Sequence, residues 1–117
     1  MKRQEAERRG RQAERIAAWW LRLKGWRILD RRVRTPVGEI DLVARRGNLV
    51  AFVEVKARPS LDEAQAFLEP RAMQRIVAAA EALAPDYTAQ GHDTRIDALL
   101  VAPGPRVRHL ENFWVGW

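Results

Sequence analysis

Two apolar segments separated by a two-residue reversal constrain this chain more than anything else in it. Glu39–Ala44 and Leu49–Lys56 both have strand composition, and Arg46-Gly47-Asn48 between them is hairpin chemistry, because Gly and Asn tolerate positive φ. With Gly47-Asn48 as the turn, Arg46 faces Leu49, Asp41 falls opposite Glu54, and Glu39 falls opposite Lys56. Strict alternation then predicts that Glu39, Asp41 and Val43 share a face with Val50, Phe52, Glu54 and Lys56. Opposed residues bring their Cβ atoms to roughly 4.5–5.5 Å. Two like charges at about 5 Å repel by roughly 3 kcal/mol at an effective dielectric near 20. The flanking Ile40, Leu42, Val43, Phe52, Val53 and Val55 mark a buried strand pair, where water screens poorly. A cation between the acids is expected, and a hard divalent ion, Mg²⁺ or Mn²⁺, suits oxygen ligands. The alternative is a structural ion-pair ladder in which Lys56 and Glu39 neutralise the pair. A one-residue slip in register would separate the faces.

The remaining segments form a short series. Residues 1–9 are charged and expected to fray. Ala13, Ile16, Ala17, Trp20 and Leu23 recur at helical spacing, which predicts a helix over Arg11–Lys24 that Gly25 stops. Trp26–Arg34 reads as a strand, and Thr35–Gly38 as a turn. Arg58–Glu69 is loop, with a short helix over Leu61–Leu68. Pro70 opens a second long helix with the stripe Met73, Ile76, Val77, Ala80, Leu83 and Ala84, and Pro85 is expected to end it. Ile96–Val101 is an apolar strand, Pro103-Gly104-Pro105 breaks it, and Val107–Val115 is a final edge strand. A helix, three strands, a helix and one or two strands make a single mixed α/β domain of 117 residues.

The charge balance is +6, from 21 Lys and Arg against 15 Asp and Glu, and Lys2, Lys24 and Lys56 are the only lysines. Arginine binds phosphate with two parallel hydrogen bonds, so a polyanionic partner fits; a merely basic protein fits equally. The absence of cysteine excludes disulfides, thiolate nucleophiles and sulfur-ligated zinc, and is compatible with a reducing cytoplasm. No segment has the apolar length of a membrane span, and the charged N-terminus lacks the apolar core of a secretory signal. Trp19, Trp20 and Trp26 are expected in the core. Trp114 and Trp117 suit packing first, and base stacking or a dimer contact second. His92 and His109 look isolated. Arg45 and Arg46, at the hairpin tip, are candidates for a nucleic-acid backbone or plain turn residues.

Gly38-Glu39-Ile40-Asp41-Leu42 followed by Phe52-Val53-Glu54-Val55-Lys56 resembles the D…(D/E)-x-K signature of PD-(D/E)XK nucleases. More narrowly, the chain resembles the YraN family of small bacterial proteins, described as predicted endonucleases similar to archaeal Holliday-junction resolvases. Gly25-Trp26-Arg27-Ile28-Leu29 and Arg95-Ile96-Asp97 fall where that family has similar segments. The resemblance implies a restriction-endonuclease-like αβββαβ core with a mixed sheet flanked by helices. It implies that Asp41 and Glu54 hold Mg²⁺ or Mn²⁺ and that Lys56 orients the attacking water and offsets charge on the phosphate.

Glu14 heads a helical column continued by Ala17, Ala18 and Leu21, so it either faces the sheet or is a solvated charge. The family implies a third acidic metal residue there. Glu39 is either a partner that orients Lys56 or a cross-strand salt bridge. Arg71, Gln74 and Arg75 share one face near a helix N-terminus, where the family often has a basic cluster for nucleic acid. Ala72 departs from it, standing where lysine is common. Phosphodiester hydrolysis on DNA, in particular branched DNA, and a twofold homodimer follow from the same resemblance. A nucleic-acid-binding module of repair or recombination that does not cleave is the alternative.

Overall fold

A computed structural model describes residues 2–114. The elements run α1 (Lys2–Leu23), β1 (Arg27–Thr35), β2 (Gly38–Arg46), β3 (Leu49–Ala57), α2 (Leu61–Ala66), α3 (Pro70–Thr88), β4 (Asp93–Ala102) and β5 (Arg106–Leu110). The strands form one sheet in the order β1-β2-β3-β4-β5. Only β3 and β4 pair in parallel, and the chain between them crosses over through α2 and α3. The expected mixed sheet flanked by helices is therefore present, compatible with a restriction-endonuclease-like core.

Each face of the sheet has its own core. Leu42, Ala44, Ala51, Val53 and Leu99 pack with Ala17, Ala18 and Leu21 of α1 and with Trp26. Ile40, Val43, Val50, Phe52 and Ile96 pack with Met73, Ile76, Ala79 and Ala80 of α3. Phe52 is fully buried, which removes enough apolar surface from water to stabilise the fold by about 2–3 kcal/mol.

Several boundaries differ from expectation. α1 begins at Lys2, so the segment expected to fray is helical. Its Lys, Gln, Glu, Ala and Arg are good helix formers, but apolar periodicity marks only the part that packs. The stop at Gly25 holds: with φ +91°, it lets Trp26 N–H reach Leu21 O at 3.0 Å and Gly25 N–H reach Arg22 O at 3.1 Å. That paired closure brings Trp26 down onto Leu21. Pro85 does not end α3, which continues to Thr88. Tyr87, beyond the proline, packs its ring at 5.8 Å from Phe52, and this apolar contact holds the last turn on the sheet. β4 begins at Asp93 because the parallel ladder with β3 starts at Leu49↔Asp93. β5 stops at Leu110; Val115 and Trp117 lie outside the described residues. Trp19 is 60% exposed, not buried, whereas Trp26 is in the core and Trp20 packs partly buried against it. Among the described residues no helix is long and apolar enough to cross a membrane.

Gly38 has a specific task. A Cβ there would run into the backbone carbonyl of Arg75, so only glycine lets α3 lie this close over the start of β2. Gly38→Ala is expected to destabilise the fold by about 1–3 kcal/mol, read as a lower urea midpoint, since backbone must shift to make room. An unchanged midpoint would show that α3 does not need this approach.

Candidate functional site

The β2–β3 ladder runs from Arg46↔Leu49 to Leu42↔Val53, in the register expected from the Gly47-Asn48 turn. It stops one pair short of Asp41 and Glu54. There the Asp41 side chain takes over: its Oδ2 accepts the Val55 N–H at 2.8 Å. On the other side of β2, β1 pairs Arg31↔Leu42 and Val33↔Ile40, skipping Arg32 and Asp41. Arg32 has φ +49°.

This irregularity overturns one expectation. Glu39, Asp41 and Val43 do not share a face. Ile40 and Val43 both enter the α3 core, while Leu42 and Ala44 enter the α1 core. Alternation therefore breaks between Ile40 and Leu42, at Asp41 itself. Glu39 and Asp41 line clefts bounded by α1.

Glu54 is buried, and its Oε1 lies 3.2 Å from Lys56 Nζ, as residues two apart on one strand face should. Asp41, Glu54, Lys56 and Glu14 all line one cleft of about 980 Å³, between α1, the end of β3 and the turn after β4. Burial, and then the charge of Asp41, push the Glu54 carboxyl up to about 8; Lys56 pulls the other way. Glu54 thus keeps its proton at neutral pH, beside the charge of Asp41. This repulsion, from two carboxylates in a partly dry cleft, is what a hard cation would relieve.

A stability prediction follows. The unfolded glutamate releases its proton near 4.5, the folded one near 8. Between those values the native state binds the extra proton, so stability falls as pH rises through this window. Glu54→Gln, measured by denaturation in a chelator, is expected to match wild type near the acid end. At the alkaline end it is expected to exceed wild type by about 2–4 kcal/mol. A difference that does not change with pH would contradict the shift.

The other candidates divide. Glu14 faces the sheet, as its apolar column suggested, but its Oε2 is held by Arg32 Nε at 2.8 Å. Glu39 does not meet Lys56, whose partner is Glu54; it pairs across the strands with Arg34 at 3.7 Å. Arg71, Gln74 and Arg75 are exposed on α3, which covers the sheet face opposite α1, and none lines the acid cleft. Arg45 and Arg46 sit at the hairpin tip, four and five residues along β2 from Asp41, which is on the order of 13 Å or more. Arg45 donates to Gly47 O at 2.9 Å, and Arg46 stacks 4.5 Å above the Trp26 ring. The structure does not bring these five residues to the acids. Among the described residues no three His, Asp or Glu side chains are grouped to hold a metal.

Three features escaped sequence reasoning. Arg58, two residues after Lys56, lines the acid cleft and stacks on Phe67 at 4.2 Å; strand alternation was a usable signal for it. Arg32 and Arg34 lie beside Glu14 and Glu39. His109 is not isolated: its Nε2 lies 2.8 Å from Oδ2 of fully buried Asp97, an acid within an otherwise apolar strand.

These features define a small α/β protein with a paired-carboxylate cleft where the β2–β3 ladder ends in a mixed sheet. The chain belongs to the family described as "Uncharacterised protein family UPF0102", which it matches over residues 13–101. It is similar to a UPF0102 protein of Erythrobacter litoralis, with 58% identity across 97% of this chain and 98% of the relative. A UPF0102 protein of Sphingopyxis alaskensis is 54% identical over the same shares, and one of Rhizorhabdus wittichii is 51% identical over 98% of each chain. This is the family resembled by the Gly38–Leu42 and Phe52–Lys56 motifs.

Proposed function

We propose that the chain is a divalent-metal-dependent endonuclease that hydrolyses phosphodiester bonds in DNA. The observation that carries this reading is the shared cleft of Asp41, Glu54 and Lys56, in which the charge of Asp41 helps hold a proton on buried Glu54. Asp41 and Glu54 would hold Mg²⁺ or Mn²⁺. Two carboxylates are enough for such an ion when substrate phosphate and water complete its shell. Such an ion, when bound, would supply Lewis-acid activation of water and stabilisation of phosphoryl charge. Lys56 Nζ, 3.2 Å from Glu54, would offset charge that develops on the phosphate. Glu54 must give up its proton before it can serve as a ligand, so metal affinity rises with pH toward about 8. Glu14 would join the metal set only on leaving Arg32.

Branched DNA as substrate and a twofold dimer extend the same proposal and rest on the resemblance to junction resolvases; a reducing cytoplasm fits the absence of cysteine. The test is incubation of the chain with Mn²⁺ and linear duplex, single-stranded and four-way DNA. Metal-dependent strand cleavage of at least one is expected. Binding to all three with no turnover would favour the second reading, a nucleic-acid-binding module that does not cleave. The Arg32–Glu14 pair, which ties up the third acid, is the observation in its favour.

A further inference from the structure

The acid cleft continues past Glu14 into a second, smaller one. Gly10 and Glu14 line both; the smaller cleft, of about 410 Å³, is completed by Arg11, Arg32, Arg34 and Glu39. Three guanidinium groups meet two carboxylates there, so positive charge is in excess. The existing pairs leave the arginines accessible: the Arg34 side chain is 85% exposed and 3.7 Å from Glu39, and that of Arg32 is 43% exposed.

Among the described residues, Arg32 and Asn112 are the non-glycine positions at positive φ. An L-residue at φ +49° gives up roughly 1–2 kcal/mol relative to an ordinary strand conformation. Glycine or asparagine would tolerate this position better. What the chain keeps instead is a guanidinium in the smaller cleft, bonded to Glu14 and raised in pKa first by that hydrogen bond, then by the charges of Glu14, Glu39 and Asp41. A strained residue aimed into a cleft is a pointer to function.

We propose that Arg11, Arg32 and Arg34 form a phosphate subsite that grips the nucleic-acid backbone beside the acid cleft, with Arg32 exchanging the Glu14 carboxylate for a phosphodiester. Gripping the backbone requires no cleavage; only the adjacency to a reacting phosphate rests on the proposed nuclease function. Arginine suits the exchange because its planar fork matches phosphate oxygens as well as it matches a carboxylate.

The test is fluorescence anisotropy with a labelled single-stranded oligodeoxynucleotide, in a chelator so that no metal contributes, across a salt series. Arg32→Gln with Arg34→Gln is expected to weaken binding at least tenfold. Two lost phosphate contacts should flatten the slope of log affinity against log salt by about 1.4. Glu14→Gln, which frees Arg32, is expected to tighten binding severalfold. A purely structural Arg32–Glu14 pair would instead make both variants move the same way, and that result overturns the proposal. Arg22→Gln removes one such charge from the far end of α1, outside both clefts; a loss there equal to that of Arg34→Gln alone would show a net-charge effect and also overturn it. If Arg32→Gln fails to fold, the exposed Arg34→Gln and Glu14→Gln decide on the same criteria. Shifts as expected with no cleavage in Mn²⁺ would sink the nuclease function and leave the subsite standing. Cleavage with binding unchanged by these variants would sink the subsite alone.

Discussion

Asp97→Ala is expected to remove about 3–5 kcal/mol of folding stability, which for a domain of this size lowers the melting temperature by roughly 10–20 °C. Asp97 is fully buried in β4. It accepts from Arg95 Nε at 2.8 Å and Nη2 at 3.0 Å and from Asn112 N–H at 2.8 Å, and His109 Nε2 lies at 2.8 Å. Burial alone would push its carboxyl up, but the bonds from His109, Asn112 and Arg95 outweigh that and hold it below the usual carboxylate range. Alanine would strand a guanidinium and an imidazole that are themselves mostly covered. The His109 ring packs edge-on against Trp20 at 5.4 Å and Trp26 at 6.4 Å, so the network fastens β5 to α1 as well as to β4. A depressed carboxyl stabilises above its unfolded pKa and loses that contribution as pH falls through its folded one. The difference between wild type and Asp97→Asn is therefore expected to shrink in acid. A loss below about 1 kcal/mol for the alanine variant would show that the network is incidental to stability.

Lys56→Ala is expected to lower metal-dependent cleavage by about 10²–10³-fold, the range seen when one pre-aligned donor to a developing oxyanion is removed. A second effect accompanies it. Lys56 holds the Glu54 carboxyl down against burial and Asp41, so without the ammonium Glu54 keeps its proton to higher pH. Mn²⁺ binding by calorimetry is then expected to weaken at neutral pH and to recover toward wild type as pH rises. Turnover should not recover with it if Lys56 is the proposed donor to the phosphate. Equal turnover by wild type and Lys56→Ala on every DNA would end the catalytic assignment while leaving the metal site open.

The hairpin was legible because its signals are local. Gly47-Asn48 fixes the turn, the turn fixes the register, and the register brings Asp41 within one pair of Glu54. The element order was legible for a similar reason: periodicity and the stops at Gly25 and Pro103-Gly104-Pro105 lie in sequence. What failed was non-local. The face on which Asp41 emerges changes where alternation breaks between Ile40 and Leu42, opposite Arg32 at positive φ on the neighbouring strand, a residue type that gives no hint of it. Arg45 and Arg46 stay candidates for a nucleic-acid backbone, at the hairpin tip and away from the acids. Arg71, Gln74 and Arg75 share a helix face as expected, but that face is exposed and does not line the acid cleft. The Asp97–His109 contact joins two strands through side chains twelve residues apart, which neither residue's neighbours announce.

The most direct test of the central claim is diffraction at the manganese edge from crystals soaked in Mn²⁺ above the pH at which Glu54 loses its proton. An anomalous peak within ligand distance of both the Asp41 and Glu54 carboxylates, lost in Asp41→Asn with Glu54→Gln, is the predicted result. A well-ordered cleft with no peak, or with Lys56 and a shared proton still neutralising the acids, would contradict it.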